Sequence, residues 1–104
     1  MVLIQQFKQT VMLRAQRDPA FRLAMLTEAI NEFLAANIEL AKRTLRDYIN
    51  ATVSFERVAK AVEKDPKSIQ RMLSPKGNPS SRSLSQIISF LQKKEGVHLR
   101  VKAT

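Results

Sequence analysis

The fold depends on one stretch of the chain, Ser54-Phe-Glu-Arg-Val-Ala-Lys-Ala-Val-Glu-Lys-Asp-Pro-Lys-Ser-Ile-Gln-Arg-Met-Leu73. It is typical of two short helices with a tight connection between them. Ser54 is a favoured N-cap for the first helix, because its hydroxyl accepts an N–H of the first turn. Asp65 followed by Pro66 restarts a helix, since Asp is a favoured N-cap and Pro is tolerated at the first helical position. Apolar residues recur at helical spacing in both helices: Phe55, Val58, Ala59 and Val62 in the first, and Ile69, Met72 and Leu73 in the second.

The two helices and their connection have the spacing of a helix-turn-helix. So short a connection forces a steep crossing, with the small Ala59 where the helices meet and Ile69 between them. In such a motif the second helix lies in the major groove of DNA. Glu63 stands where the turn often has a left-handed glycine, so we expect either strain at this residue or a different turn geometry. The alternative is an ordinary helical hairpin in a small all-α domain.

The size and composition of the chain are those of one small helical domain, or a domain with an arm. It has 104 residues, 2 Gly and no Cys, so no disulfide or thiolate metal site supports the fold. No apolar run approaches the ~18 residues of a membrane span. The N-terminus also lacks the basic segment and the long apolar run of a signal peptide. We therefore expect a cytoplasmic protein with no cofactor and no membrane partner.

The formal net charge of +9 is distributed unevenly along the chain. Residues 1–40 carry as many bases as acids, whereas residues 41–104 carry the whole positive excess. A polyanionic partner is the simplest explanation, because neutralisation of phosphates dominates affinity for nucleic acid. A merely solubilising surface would not explain why the charge is segregated.

Residues 1–36 are predicted to form an N-terminal helical hairpin or arm, ahead of a helix-turn-helix domain over residues 37–104. The first helix covers residues 2–17, and Asp18-Pro19 begins a second one that runs to about residue 36. Either these helices complete the core of the C-terminal part, or they present a surface to a protein partner or a second copy of the chain. Their apolar positions are Leu3, Ile4, Phe7 and Val11 in the first helix, and Phe21, Met25, Ile30, Phe33 and Leu34 in the second.

A third helix is predicted between Asn37, which caps it, and the segment 50–52. This helix braces the helix-turn-helix from behind. Lys42, Arg43 and Arg46 are expected to point outward, where they either contact phosphate or remain solvated. The inner face comprises Ile38, Ala41, Leu45, Tyr48 and Ile49.

The segment Ser74-Pro-Lys-Gly-Asn-Pro-Ser-Ser81 is predicted to be an ordered turn or loop, because its two prolines and its Gly-Asn pair disfavour helix. A last helix follows, capped by Ser81 or Ser83 and ended by Gly96. Residues 97–102 alternate apolar and polar, which predicts a short strand-like tail that pairs with its copy in a dimer, joins a partner's sheet or frays. The last helix turns Leu84, Ile87, Ile88 and Leu91 inward, and the loop offers donors at Lys76, Gly77, Asn78 and Ser80.

Four segments together resemble small bacterial helix-turn-helix regulators that act as transcriptional regulators or as antidotes of addiction modules. They are residues 17–22, 45–52, 66–79 and 95–99, and the most specific part is Leu73-Ser-Pro-Lys-Gly-Asn-Pro79. The resemblance covers nearly the whole chain. It implies a phage-repressor-like fold and often a neighbouring gene for a ribosome-dependent RNA-cleaving toxin. In such pairs the antidote binds its toxin and represses their shared promoter as a dimer.

The leading hypothesis is a small all-α bundle of about five to six helices that binds double-stranded DNA in a sequence-specific manner. It would act as a homodimeric antitoxin that represses its own promoter. By their position in the motif, the base-contacting residues are Lys67, Ser68, Gln70 and Arg71. The residues assigned to phosphate contacts are Arg57, Lys60, Lys64, Lys76 and Asn78.

The alternative hypothesis is a protein-binding toxin neutraliser whose helix-turn-helix serves mainly as scaffold. Phe55, Glu63 and the neutral, apolar arm motivate it. An enzyme is not expected. His98 is the only histidine and lies in the predicted strand without a nearby acid pair, and no Gly-rich phosphate loop is present.

Overall fold

Six helices make up the architecture. The structure is a computed structural model that describes residues 2–104, with the side chains of residues 6, 7 and 9–104. The predictions for Leu3 and Ile4 therefore lie outside the described side chains. Over the described residues the prediction of an all-α fold with five to six helices is confirmed, and none of these helices has the length and apolar character to cross a membrane. The helices are α1 (Val2–Arg17), α2 (Pro19–Leu34), α3 (Ile38–Thr52), α4 (Phe55–Val62), α5 (Pro66–Met72) and α6 (Ser81–Glu95).

Short polar side chains fix the starts of three helices where the sequence predicted them. The Asp18 carboxylate accepts N–H groups of the first turn of α2 at 3.1 and 3.2 Å. The Ser54 hydroxyl accepts the N–H of Arg57 in α4, and the Asp65 carboxylate accepts the N–H of Lys67 in α5 at 2.8 Å. Because each cap satisfies a donor that the helix itself leaves free, these boundaries follow from local sequence.

One predicted cap is corrected by the structure, and another keeps its predicted position without a side-chain cap bond. Ser80, not Ser81 or Ser83, caps α6, because Ser80 has the extended backbone of an N-cap and its hydroxyl accepts the N–H of Ser83 at 3.1 Å. Asn37 is the N-cap residue of α3, as predicted, and its carbonyl accepts the N–H of Ala41 at 2.9 Å, but its side-chain amide donates to the Glu32 carboxylate at 2.8 Å and makes no cap bond to α3. The backbone N–H of Asn37 bonds to the carbonyl of Glu32 at 2.9 Å as well, so this residue both closes α2 and begins α3.

The core lies where α2 and α3 meet the three C-terminal helices. α2 lies against α3, α1 packs on both, and α4 packs against α5 and α6. Burial of each large aliphatic side chain in such a core contributes roughly 1.5–3 kcal/mol. The buried cluster consists of Leu26, Ala29, Leu45, Tyr48, Ile49, Val53, Phe55, Val58, Ala59, Ile69, Leu73, Ile87 and Leu91.

The second helix completes this core, as one of the two interpretations of residues 1–36 expected. Leu26, which the predicted apolar face omitted, and Ala29 are fully buried in the same cluster as α3 to α6. Leu34, an apolar position of α2, is 63% exposed, and Ile38, which was assigned to the inner face of α3, is 44% exposed. They flank the bend between α2 and α3, where the chain turns away from the core. The domain boundary after residue 36 stays a prediction.

A polar network joins the N-terminal helices to the end of α6. Arg22 Nε and the Tyr48 hydroxyl both donate to the same Glu95 oxygen, at 2.9 and 2.6 Å. A second nitrogen of Arg22 donates to the carbonyl of Ala15 in α1 at 2.8 Å. Burial, followed by the hydrogen bond to Glu95, raises the pKa of Tyr48 above its usual value near 10. The network thus connects four helices through three side chains that are distant in sequence.

The C-terminal tail is irregular in the structure. Gly96 ends α6 in the left-handed conformation with φ 72°, as predicted. The strand predicted over residues 97–102 is not found; none of the residues from 2 to 104 forms a strand. A strand needs a neighbouring strand for its N–H and C=O groups, whereas here the N–H of Leu99 bonds to the side chain of Gln92 at 2.8 Å. Leu99 packs against the core, so the tail folds back onto the bundle.

Candidate nucleic-acid interface

The connection between α4 and α5 has three residues and begins with one in the left-handed conformation. Glu63 has φ 57° and ψ 49°, so the first of the two predicted outcomes, strain at this residue, is the one observed. A residue with a Cβ in this conformation costs roughly 1–2 kcal/mol. This conformation lets the N–H of Lys64 bond to the carbonyl of Ala59 at 2.9 Å, and it lets α5 begin only three residues after the end of α4. The turn therefore has the geometry that glycine usually provides.

One side of α5 is buried and the opposite side faces solvent. Ile69 in α5 and the following Leu73 are fully buried, as predicted. Lys67, Gln70 and Arg71 are exposed, and their i, i+3, i+4 spacing places them on one face. The fourth predicted base contact, Ser68, is half-buried and lies beside this row. Three of the four predicted residues thus share a surface, which we call the α5 face (Lys67, Gln70 and Arg71).

The loop after α5, residues 74–80, is held tightly against the end of that helix. The Ser74 hydroxyl donates to the carbonyl of Arg71 at 2.6 Å, and the N–H of Gly77 bonds to the carbonyl of Ser74 at 2.9 Å. A Cβ on Gly77 would lie 2.5 Å from the carbonyl oxygen of Met72, which is a steric clash, so only glycine fits here without a shift of the loop. The sequence predicted an ordered loop here, but it did not predict that the loop packs against α5.

Lys42 does not point outward, and that prediction is wrong. Its side chain is 1% exposed, and its ammonium donates to the carbonyls of Ser74 and Gly77 at 3.0 and 2.8 Å. The carbonyl of Pro75 lies at 3.4 Å, and the Glu39 carboxylate pairs with the ammonium at 2.9 Å. The physical reason is that a lysine side chain is long enough to leave α3 and reach the loop, where the carbonyls of Pro75 and Gly77 accept no backbone N–H.

Arg46 repeats this contact one turn further along α3. It is half-buried and its guanidinium donates to the carbonyl of Leu73, the residue that ends α5. Arg43, between the two, is exposed as predicted. The available sequence signals for these donors were the helical spacing that places Lys42 in line with Leu45 and Ile49, and the carbonyls that a helix leaves unpaired at its C-terminus.

The residues assigned to phosphate contacts remain accessible. Arg57 and Lys60 on α4, Lys64 in the turn, and Lys76 and Asn78 in the loop are all exposed. Throughout the described part of the chain, ion pairs involve Arg14, Arg22 and Lys42. The bases of α4, α5 and the loop are therefore not neutralised by carboxylates within this range.

A separate exposed apolar surface lies between α1 and α3. Phe7, which was predicted to belong to an apolar face of α1, is 70% exposed. Together with Val11 and Met12 it lines a groove of about 370 Å³, bordered by Asp47 and Asn50 of α3. This surface differs from the α5 face in having apolar rather than basic side chains.

No protein-family model, curated protein or solved structure matches this chain. Within residues 2–104, no group of three or more His, Cys, Asp or Glu side chains is arranged to hold a metal ion. The interpretation of the α5 face therefore depends on its own geometry and charge.

Proposed function

We propose that this protein is a sequence-specific double-stranded DNA-binding regulator and that α5 is its recognition helix. The observation that carries the proposal is the α5 face, which presents Lys67, Gln70 and Arg71 to solvent on a short helix without a single acid. Ile69 and Leu73 anchor the opposite side in the core, so this face is fixed relative to the rest of the protein. A rigid helix with exposed donors is what readout of base edges in the major groove requires.

Each residue of the α5 face has a chemical match on DNA. Arg71 and Lys67 can donate to guanine O6 and N7, and the Gln70 amide can pair with adenine N6 and N7. A good bidentate pair contributes roughly 1–3 kcal/mol of discrimination against the wrong base. The half-buried Ser68 has a flanking role in this proposal.

The exposed bases around α5 supply contacts to the phosphate backbone. Arg57, Lys60 and Lys64 precede the helix, and Lys76 and Asn78 follow it, all exposed. Such contacts position a protein on the duplex and make its affinity depend on salt. The restriction of the positive excess to residues 41–104 supports the same assignment.

The resemblance to addiction-module antidotes extends the proposal to biology. In that reading the protein is a cytoplasmic, non-enzymatic antitoxin that represses its own promoter as a homodimer and binds a toxin. A dimer would contact two half-sites about 34 Å apart, one turn of the double helix. Static light scattering of the free protein and of its DNA complex would measure the stoichiometry.

The proposal is tested by titrating the protein against DNA from upstream of its own gene and against random DNA at several salt concentrations. We expect tighter binding to the upstream DNA and a linear decrease of log affinity with log salt, whose slope is about 0.9 per phosphate contact. Equal, weak binding to both DNAs would reject sequence-specific regulation.

A second candidate function, a protein-binding toxin neutraliser, is favoured by the exposed apolar groove of α1 and α3. Phe7 and Met12 expose apolar surface there, and they belong to residues 1–40, which carry no net charge. Exposed patches of this kind mark protein interfaces. Phe7→Ser should weaken toxin neutralisation and leave DNA affinity unchanged, whereas Arg71→Ala should do the reverse. If Phe7→Ser neutralises the toxin as well as the native protein does, the groove is not the toxin site.

A further inference from the structure

The loop after α5 is built around a buried cation from another helix. The Lys42 ammonium lies among the carbonyls of Ser74, Pro75 and Gly77, at 3.0, 3.4 and 2.8 Å. Arg46 donates to the carbonyl of Leu73 immediately before them. Two cations of α3 thus bind four carbonyls at and after the C-terminus of α5, where the helix dipole favours positive charge.

This arrangement fixes the direction of the peptide groups in the loop. A trans peptide is planar, so its N–H points away from its C=O, and no peptide bond among the described residues is cis. Because the carbonyls of Pro75 and Gly77 point toward Lys42, the N–H groups of Lys76 and Asn78 point away from it.

Those two N–H groups are available to an external acceptor. The neighbouring amides of Ser74 and Gly77 bond within the protein, to the carbonyls of Arg71 and Ser74. For the amides of Lys76 and Asn78, the described residues provide no backbone or side-chain acceptor. Both residues are exposed, and the Lys76 ammonium adds a positive charge at the same place. Two backbone N–H groups without an internal acceptor, one residue apart and beside a cation, are a favourable site for an anion.

We propose that the loop 74–78 is a preformed phosphate-binding element for the DNA backbone, and that Lys42 is the positioning residue that orients it without contacting DNA. This inference depends on the proposed function of the α5 face. Lys42 would act on DNA binding only through the loop, whereas the exposed bases would contact phosphates themselves. Loss of Lys42 would therefore remove phosphate contacts that belong to Lys76 and Asn78.

The first test compares the salt dependence of DNA binding in matched charge-loss variants. Lys42→Met keeps the length of the side chain and removes its charge, whereas Arg17→Met removes one charge from an exposed position of α1. We expect Lys42→Met to lower the salt slope by about 0.9 per lost phosphate and Arg17→Met to leave it unchanged. With Lys76→Ala in the background, Lys42→Met should change the slope less than it does alone. An unchanged slope in a folded Lys42→Met protein, or equal slopes in the two charge-loss variants, would overturn the inference.

The second test uses the unaltered protein and so does not depend on whether Lys42→Met folds. In amide NMR spectra recorded with a short DNA duplex, the N–H signals of Lys76 and Asn78 should move downfield on binding, and those of Ser74 and Gly77 should move less. If DNA binds with a clear salt slope but the Lys76 and Asn78 signals stay in place, the inference fails while the proposed function stands. If the protein shows no salt-dependent DNA binding at all, both fail.

Discussion

The N-terminal helices and the region around α5 use their charges in opposite ways. In α1 and α2, arginines pair with carboxylates: Arg14 with Asp18 on the surface, and Arg22 with the largely buried Glu95. Around α5 the exposed bases have no carboxylate partner among the described residues. The pair of Arg22 and Glu95 therefore holds the fold together, whereas the exposed bases around α5 are available to a partner. Lys42 combines the two roles, because it is buried and stabilises the fold, yet the loop that it orients belongs to the basic surface around α5.

The largest effect is expected where a paired charge of the first region is removed. Glu95→Gln leaves Arg22 and Tyr48 without their shared carboxylate, so we expect a loss of up to about 3 kcal/mol in the free energy of unfolding. Urea denaturation measures it, with Glu28→Gln at an exposed position as the control. Equal stability of the two variants would show that the network of Arg22, Tyr48 and Glu95 does not hold the N-terminal helices in place.

A smaller effect is expected from crowding the loop of the basic region. Gly77→Ala puts a Cβ 2.5 Å from the carbonyl oxygen of Met72, so the loop must move away from α5. We expect a loss of about 2 kcal/mol in unfolding free energy, typical of overpacking, together with weaker DNA binding. Asn78→Ala, in the same loop but exposed, should leave stability unchanged. A Gly77→Ala protein with native stability and native DNA affinity would mean that the loop is not held against α5.

The raised pKa of Tyr48 predicts a pH dependence that belongs to the first region. An unfolded tyrosine ionises near pH 10, whereas the folded Tyr48 keeps its proton to higher pH because of burial and its bond to Glu95. The contribution of Tyr48 to the free energy of unfolding is therefore fully present below pH 10. It falls as pH rises above 10, by up to about 1.4 kcal/mol per pH unit.

Urea denaturation of the native protein and of Tyr48→Phe between pH 8 and pH 11 isolates this contribution, since the lysines titrate in both. The difference in stability between the two proteins should shrink above pH 10. A constant difference over this range would contradict the assigned pKa direction.

The smallest effect is expected at the strained turn between α4 and α5. Glu63→Gly relieves the cost of a Cβ at φ 57° and should stabilise the protein by about 1 kcal/mol. Glu63→Ala keeps the Cβ and should give no such gain. Thermal unfolding compares the two, and equal melting temperatures would show that the turn is not strained.

The parts of the fold that depend on local sequence could be predicted. The starts of α2, α4 and α5 follow from Asp18, Ser54 and Asp65, whose caps act within one turn. The buried stripes of α4 and α5 follow from helical periodicity, which also leaves Lys67, Gln70 and Arg71 on the exposed face. Local rules gave the start of α6 only to within a few residues, because Ser80, Ser81 and Ser83 all suit an N-cap.

The parts that depend on tertiary contacts could not be predicted. Helical spacing places Lys42, unlike the exposed Arg43, in line with Leu45 and Ile49. The carbonyls that its ammonium binds, however, lie in a loop more than 30 residues later in the chain, which local sequence does not reveal. The sequence did not predict the role of Glu95, which was noted only as part of the resembling segment 95–99, because its partners Arg22 and Tyr48 lie on other helices. The tail alternates like a strand, yet without a neighbouring strand it folds back onto α6.

Readout of DNA sequence by the α5 face requires Arg71 to contact a base edge. The measurement is the ratio of affinities for upstream and random DNA, determined at one salt concentration for the native protein, Arg71→Ala and Arg17→Ala. We predict that Arg71→Ala lowers this ratio by roughly 10- to 100-fold, as expected for one lost base contact, and that Arg17→Ala leaves the ratio at its native value. A native ratio in Arg71→Ala would contradict the assignment of α5 as the recognition helix.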